Sequence, residues 1–146
     1  MGLFDKFGSK EEKEKLSKEE AFAAVTLATI AADGTITEEE AQGLFVHMNR
    51  MRMYSGFNDK QMSSMLNKLI NIIKRKGLDE LLALAKGSLP EDMRATAFAV
   101  ATDLALADGD IAEEEKKLLT KVQQSLGIPE DEGVKIIEVM MIKNRG

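Results

Sequence analysis

Two short stretches of this 146-residue chain gather carboxylates closely enough to do chemistry. The first is Asp33-Gly34-Thr35-Ile36-Thr37-Glu38-Glu39-Glu40, and the second is Asp108-Gly109-Asp110-Ile111-Ala112-Glu113-Glu114-Glu115. Carboxylates are the hard oxygen donors that suit calcium and magnesium. In each stretch the aspartate, glycine, isoleucine and last glutamate match the second half of a calcium-binding helix-loop-helix loop. The first half is missing: Thr29 and Ala31, and likewise Leu104 and Leu106, stand where the early oxygens belong. The expectation is therefore a partial site, Asp33 with Glu40 or Asp108 with Glu115, completed by water. If the two turns meet, one ion could be shared.

A purely structural reading stands beside this one. Gly34 and Gly109 can take the left-handed conformation that closes a preceding helix. Thr35 with Glu38, and Asp110 with Glu113, have the spacing of a capping box; Thr37 with Glu40 is an alternative that Ala112 denies to the second stretch. Glutamates in a first helical turn gain roughly 0.3–1 kcal/mol each from the helix dipole. Capping leaves Asp33 and Asp108 unexplained, because they precede the cap and are repelled by the neighbouring carboxylates. A cation would relieve that repulsion.

The elements that must position these turns read as helices. Apolar residues at helical spacing predict helices over 11–32, 38 to about 53, 58–76, 78–86, 90–107, about 111–126 and 130 to the C-terminus. No segment alternates like a strand. Phe22, Val25, Leu27 and Ile30 lie among alanines, which let a second helix approach closely. Asn58 or Asp59 is placed to cap the third helix, and Lys74, Arg75 and Lys76 suit its last turn. The terminal helix is expected to bury Val134, Ile137, Met140 and Met141. Residues 1–10 are expected to be a flexible N-terminal segment, with one all-helical domain over 11–146. The predicted fold class is all-α, a single-domain bundle of about seven helices.

Composition removes several chemistries. With no cysteine there are no thiolate ligands, thiol nucleophiles or disulfides, and a single histidine, His47, excludes a multi-imidazole site. His47 falls among Phe45, Met48 and Met51, a setting typical of a structural histidine. A formal net charge of -5 repels phosphate backbones and argues against nucleic acid as a partner. No apolar run is long enough to span a bilayer, and the opening MGLFDKFGSK lacks a signal-peptide core. A cytoplasmic protein is expected, with at most weak peripheral membrane contact through the N-terminus. The nine methionines recur at helical spacing with Leu and Ile, as core filler does. Arg50 and Arg52 with Lys74, Arg75 and Lys76 read as solvated helix surface.

The two acidic stretches belong to a longer internal match. AAVTLATIAADGTITEEE, ending at Glu40, lies over AVATDLALADGDIAEEE, ending at Glu115. Ala24 meets Ala99, Ile36 meets Ile111, and Leu44 meets Leu119 in the same register. The expectation is two helix-turn-helix repeats, about 21–53 and 91–126, facing each other across one core with approximate two-fold symmetry.

The alanine-rich helix leading into IAADGTITEEE, the second ending ALADGDIAEEE, and the later LGIPED together resemble the TerB-like tellurite-resistance family. The resemblance runs from about residue 18 to 142. It implies an all-helical bacterial fold with an acidic surface for divalent cations, linked to tellurite resistance and stress responses. It also implies partner proteins, among them other Ter proteins. Carried over by position, the metal residues are Asp33, Glu39 and Glu40, and Asp108, Glu114 and Glu115. Asp103 adds an oxygen that Ala28 cannot match in the first repeat. Calcium or magnesium is the first expectation for the ion, zinc or manganese the next. The leading functional reading is a non-enzymatic, metal-responsive scaffold or interaction protein. A metal-assisted hydrolase and a metal-free structural interaction domain are the alternatives.

Overall fold

Among the described residues the first helix is entered at Ser17, whose extended backbone and hydroxyl set its start. The Ser17 Oγ accepts from the Glu20 N–H at 3.1 Å, while the Ser17 N–H donates to Glu20 Oε1 at 2.9 Å. This reciprocal box satisfies two donors that the first turn would otherwise leave unpaired. The computed structural model describes residues 15–31, 35–106 and 113–145. Asp33 and Asp108, the turn glycines Gly34 and Gly109, and the expected N-terminal segment 1–10 lie outside the described residues.

Among the described residues there are seven α-helices, one short 3-10 turn and no strand, as the periodicity predicts. They are α1 (Lys18–Ala28), α2 (Glu38–Asn49), α3 (Asp59–Lys76), α4 (Leu78–Ser88), α5 (Glu91–Leu106), α6 (Glu113–Ser125) and α7 (Glu130–Lys143). Of the expected 11–32 helix, residues 11–14 and Ala32 lie outside the described residues; within them the Ser17 box fixes the start at Lys18 and Thr29 caps the end. The second stops at Asn49 rather than near 53; the 3-10 turn Arg52–Tyr54 follows. Of the two candidates for the α3 cap, Asn58 is the one used, in a box with Gln61.

The core is organised around α1, in which every residue from Ala21 to Ala28 is buried. The reason lies in its sequence. The alanines leave room for neighbours on several sides, and α1 packs against α4, α5 and α3. Burial of polar groups is compensated locally: the Thr26 hydroxyl donates to the Ala23 carbonyl at 2.8 Å and the Thr102 hydroxyl to that of Phe98 at 2.8 Å. Tyr54, also buried, donates to the Glu19 carbonyl at 2.7 Å and so ties the 3-10 turn to the start of α1. Met48, Met62 and Met65 are buried in the same core. Gly77 joins α3 to α4 without an intervening loop; its φ of 89° is a conformation that side chains disfavour.

The terminal helix departs from expectation. Val134 and Met141 are 46% and 47% exposed, while Ile136 and Ile137 pack on the core and Gly133 is buried. The cause is a close approach: a Cβ on Gly133 would come within 3.1 Å of Gln123 Cγ. The inward face of α7 is therefore centred on the glycine, which turns Val134 and Met141 outward.

The Ser17 box carries a pH prediction. Burial works against the Glu20 charge, but the Ser17 N–H and the Lys68 ammonium, 2.9 Å from Oε2, outweigh it and hold the carboxyl below its usual range. A depressed carboxyl stabilises the fold above the unfolded glutamate pKa, near 4.3, and the contribution fades as pH falls through the folded value. Glu20→Gln should therefore lower stability at pH 7 by about 0.5–1 kcal/mol, discounted because Lys68 is 41% exposed. The gap between variant and parent should close in urea titrations below pH 4. A gap that persists there would rule out the electrostatic origin.

Candidate metal centre

The first acidic stretch leads into α2 through Thr37, whose backbone is extended (φ -75°, ψ 159°). The Thr37 Oγ1 accepts from the Glu40 N–H at 3.1 Å, and the Thr37 N–H donates to Glu40 Oε1 at 2.9 Å. The helix thus uses the Thr37–Glu40 box rather than Thr35–Glu38. Glu38, Glu39 and Glu40 are all exposed in this first turn. A carboxylate bonded through one oxygen retains the other as an acceptor, so capping and ligation by Glu40 are compatible.

In the second acidic stretch α6 opens with Glu113, Glu114 and Glu115. Glu113 forms an exposed pair with Lys116 at 3.1 Å, Glu114 is exposed, and Glu115 is half-buried. Asp110, the expected partner of Glu113 in a box, lies outside the described residues.

The first turns of α2 and α6 border one cavity of about 480 Å³. Its walls carry Glu39, Glu40 and Gly43 from α2, Glu115 from α6, and Leu104 from the last turn of α5. Thr29 and Ile30, just beyond α1, close it, with fully buried Leu44 beneath. Both alanine-rich helices thus end at the same cavity. The sequence carried a signal for Thr29 and Leu104: they occupy equivalent positions, where a helix-loop-helix calcium loop would begin.

Not every candidate is gathered there. Glu114 is not part of the cavity wall. Asp103 points instead to the end of α7, where its Oδ1 accepts from Asn144 Nδ2 at 2.7 Å and Lys143 Nζ at 3.2 Å. Nothing in the sequence announced that contact, because its partners are forty residues away along the chain. His47 is half-buried in the last turn of α2 and does not line the cavity. Among the described residues no three Asp, Glu or His side chains converge closely enough to hold an ion. The donor chemistry suits a hard cation, but Glu39, Glu40 and Glu115 supply only a loose oxygen set around a shared space.

No described helix is long and apolar enough to cross a membrane. Residues 19–136 match the family model described as tellurite resistance protein TerB. No curated protein and no solved structure matches the chain.

Proposed function

Because the chain belongs to the TerB tellurite-resistance family, we propose that it is a non-enzymatic, divalent-cation-binding scaffold of the bacterial cytoplasm, acting in tellurite resistance or a related stress response. The observation that carries the reading is the single cavity bordered by Glu39 and Glu40 of one repeat and Glu115 of the other. Gathering like charges around one space raises their mutual repulsion, and a divalent ion offsets it. In this reading Asp33 and Asp108 supply the carboxylates that the described residues lack, and water completes the shell of a calcium or magnesium ion. The chemistry of the ion would be structural: it draws the two acidic turns together and so sets the surface offered to a partner protein.

Calorimetric titration of the full chain with calcium, magnesium, manganese and zinc tests the proposal. Heat of binding is expected with calcium or magnesium. It should weaken by at least about tenfold in affinity in Asp33→Ala with Asp108→Ala, and in Glu39→Gln with Glu115→Gln. Undiminished binding in the aspartate variant would sink the assignment of those two residues. A parent that binds none of the four ions would leave the carboxylates as helix caps, a reading that the Thr37–Glu40 box already favours for Glu40.

A further inference from the structure

We propose that the groove between α6 and α7 is a docking site for an acidic amphipathic helix of a partner protein. Phe98, Leu119, Gln123, Val134 and Ile137 line a concavity of about 230 Å³ where α5, α6 and α7 meet. Thr120 and Gln124 are shared with a second, more open concavity of about 350 Å³ bounded by Lys116, Lys117 and Lys121. The two form one trough with an apolar floor and a basic bank.

The floor has the spacing of a helix seat. Val134 and Ile137, three residues apart, line the concavity, and Met141 extends the same i, i+3, i+7 row of α7 beyond it; Val134 and Met141 are 46% and 47% exposed. An amphipathic helix lays matching apolar anchors into such a trough. The Gly133 contact described above goes with this exposure: Val134 and Met141 face outward, while Ile137 between them packs on the core.

Charge selects the partner. Beyond Glu115, α6 carries Lys116, Lys117 and Lys121 and no acidic residue through Ser125, so the α6 bank is basic although the chain as a whole is acidic and one carboxylate, Glu130, lines the concavity from the start of α7. At physiological salt the Debye length is about 8 Å, so a docked helix responds to this bank more than to the distant net charge. Two of the lysines already have partners: Lys116 pairs with Glu113 at 3.1 Å and Lys121 with Asp79 at 2.9 Å. Both pairs are solvent-exposed, and such pairs are weak enough to be exchanged for an incoming carboxylate.

The test uses a fluorescein-labelled synthetic peptide of about 15 residues, long enough to form a helix on binding. Leucines stand at i, i+3, i+4 and i+7, with glutamates on the flanks; a twin carries lysines in place of the glutamates. Anisotropy with the full chain should show saturable binding of the glutamate peptide, at least about tenfold tighter than the twin. Lys117→Glu with Lys121→Glu should weaken it by at least about tenfold, and Val134→Asp should do so independently, with far-UV circular dichroism unchanged. Amide shifts should centre on Thr120, Gln124, Val134 and Met141. The proposal is overturned by any of four results: no binding, equal binding of the twins, shifts centred elsewhere, or binding indifferent to both variants. It is also overturned if deleting residues 1–14 alone shifts the groove amides, since the occupant would then be this chain's own terminus. Binding of anionic vesicles through the same lysines, without binding of the peptide, would assign the face to a membrane instead.

Discussion

Phe22→Ala is expected to lower the unfolding free energy by about 3–5 kcal/mol, the largest effect of a single substitution that we anticipate in this fold. Phe22 is fully buried near the start of α1, the helix on which α3, α4 and α5 all pack. Truncation removes the transfer energy of the ring and leaves a cavity that three helices cannot close together. Domains are held by about 5–15 kcal/mol in total, so the variant should lose roughly 10 °C or more in melting temperature. Urea titration followed by circular dichroism measures it, with a shifted midpoint at unchanged slope. A loss below about 1 kcal/mol would mean that α1 is not the centre of the core.

Ala24→Leu probes the opposite fault at the same place. Ala24 has no exposed surface, and its neighbours Ala23 and Val25 are equally buried. A larger side chain has no solvent to turn into, so a packed helix must shift, at a cost of about 1–3 kcal/mol despite the greater hydrophobicity of leucine. The sign is informative: on an exposed alanine the same change would be nearly neutral. Stabilisation by Ala24→Leu would show that α1 is loosely packed, against the close helix approach inferred from its alanines. Ala23→Leu should behave alike, whereas a leucine at Ser63, exposed on α3, should change stability by less than about 0.5 kcal/mol.

How much was legible in the sequence differs between the helices and the site. Helix existence was readable because it depends on local apolar spacing, caps and glycine breaks, all of which act within a few residues. Ser17 and Asn58 illustrate this, since the N–H of each cap donates to a side chain three positions on. The choice between Thr35 and Thr37 as the α2 cap was not readable, because both spacings are sound and the selection depends on how the turn meets the rest of the fold. The face of α7 was legible only in part, for a related reason: Ile137 packs on the core as its spacing predicts, whereas Val134 and Met141 are exposed. Its strongest apolar stripe is not its most buried one, since the glycine that permits close approach to Gln123 decides the rotation of the helix.

The sequence by itself determined the all-helical class, the repeated acidic pattern, the absence of thiol chemistry and the family. Each of these resides in residue type and local order. Only the tertiary structure decided that Glu39, Glu40 and Glu115 border one cavity, that Asp103 is bonded to Asn144 and Lys143, and that a basic bank flanks an apolar trough. Those relations join residues far apart in the chain, and their distances follow from how helices cross. One-dimensional spacing carries no record of that geometry, because many crossings are compatible with the same amphipathic pattern.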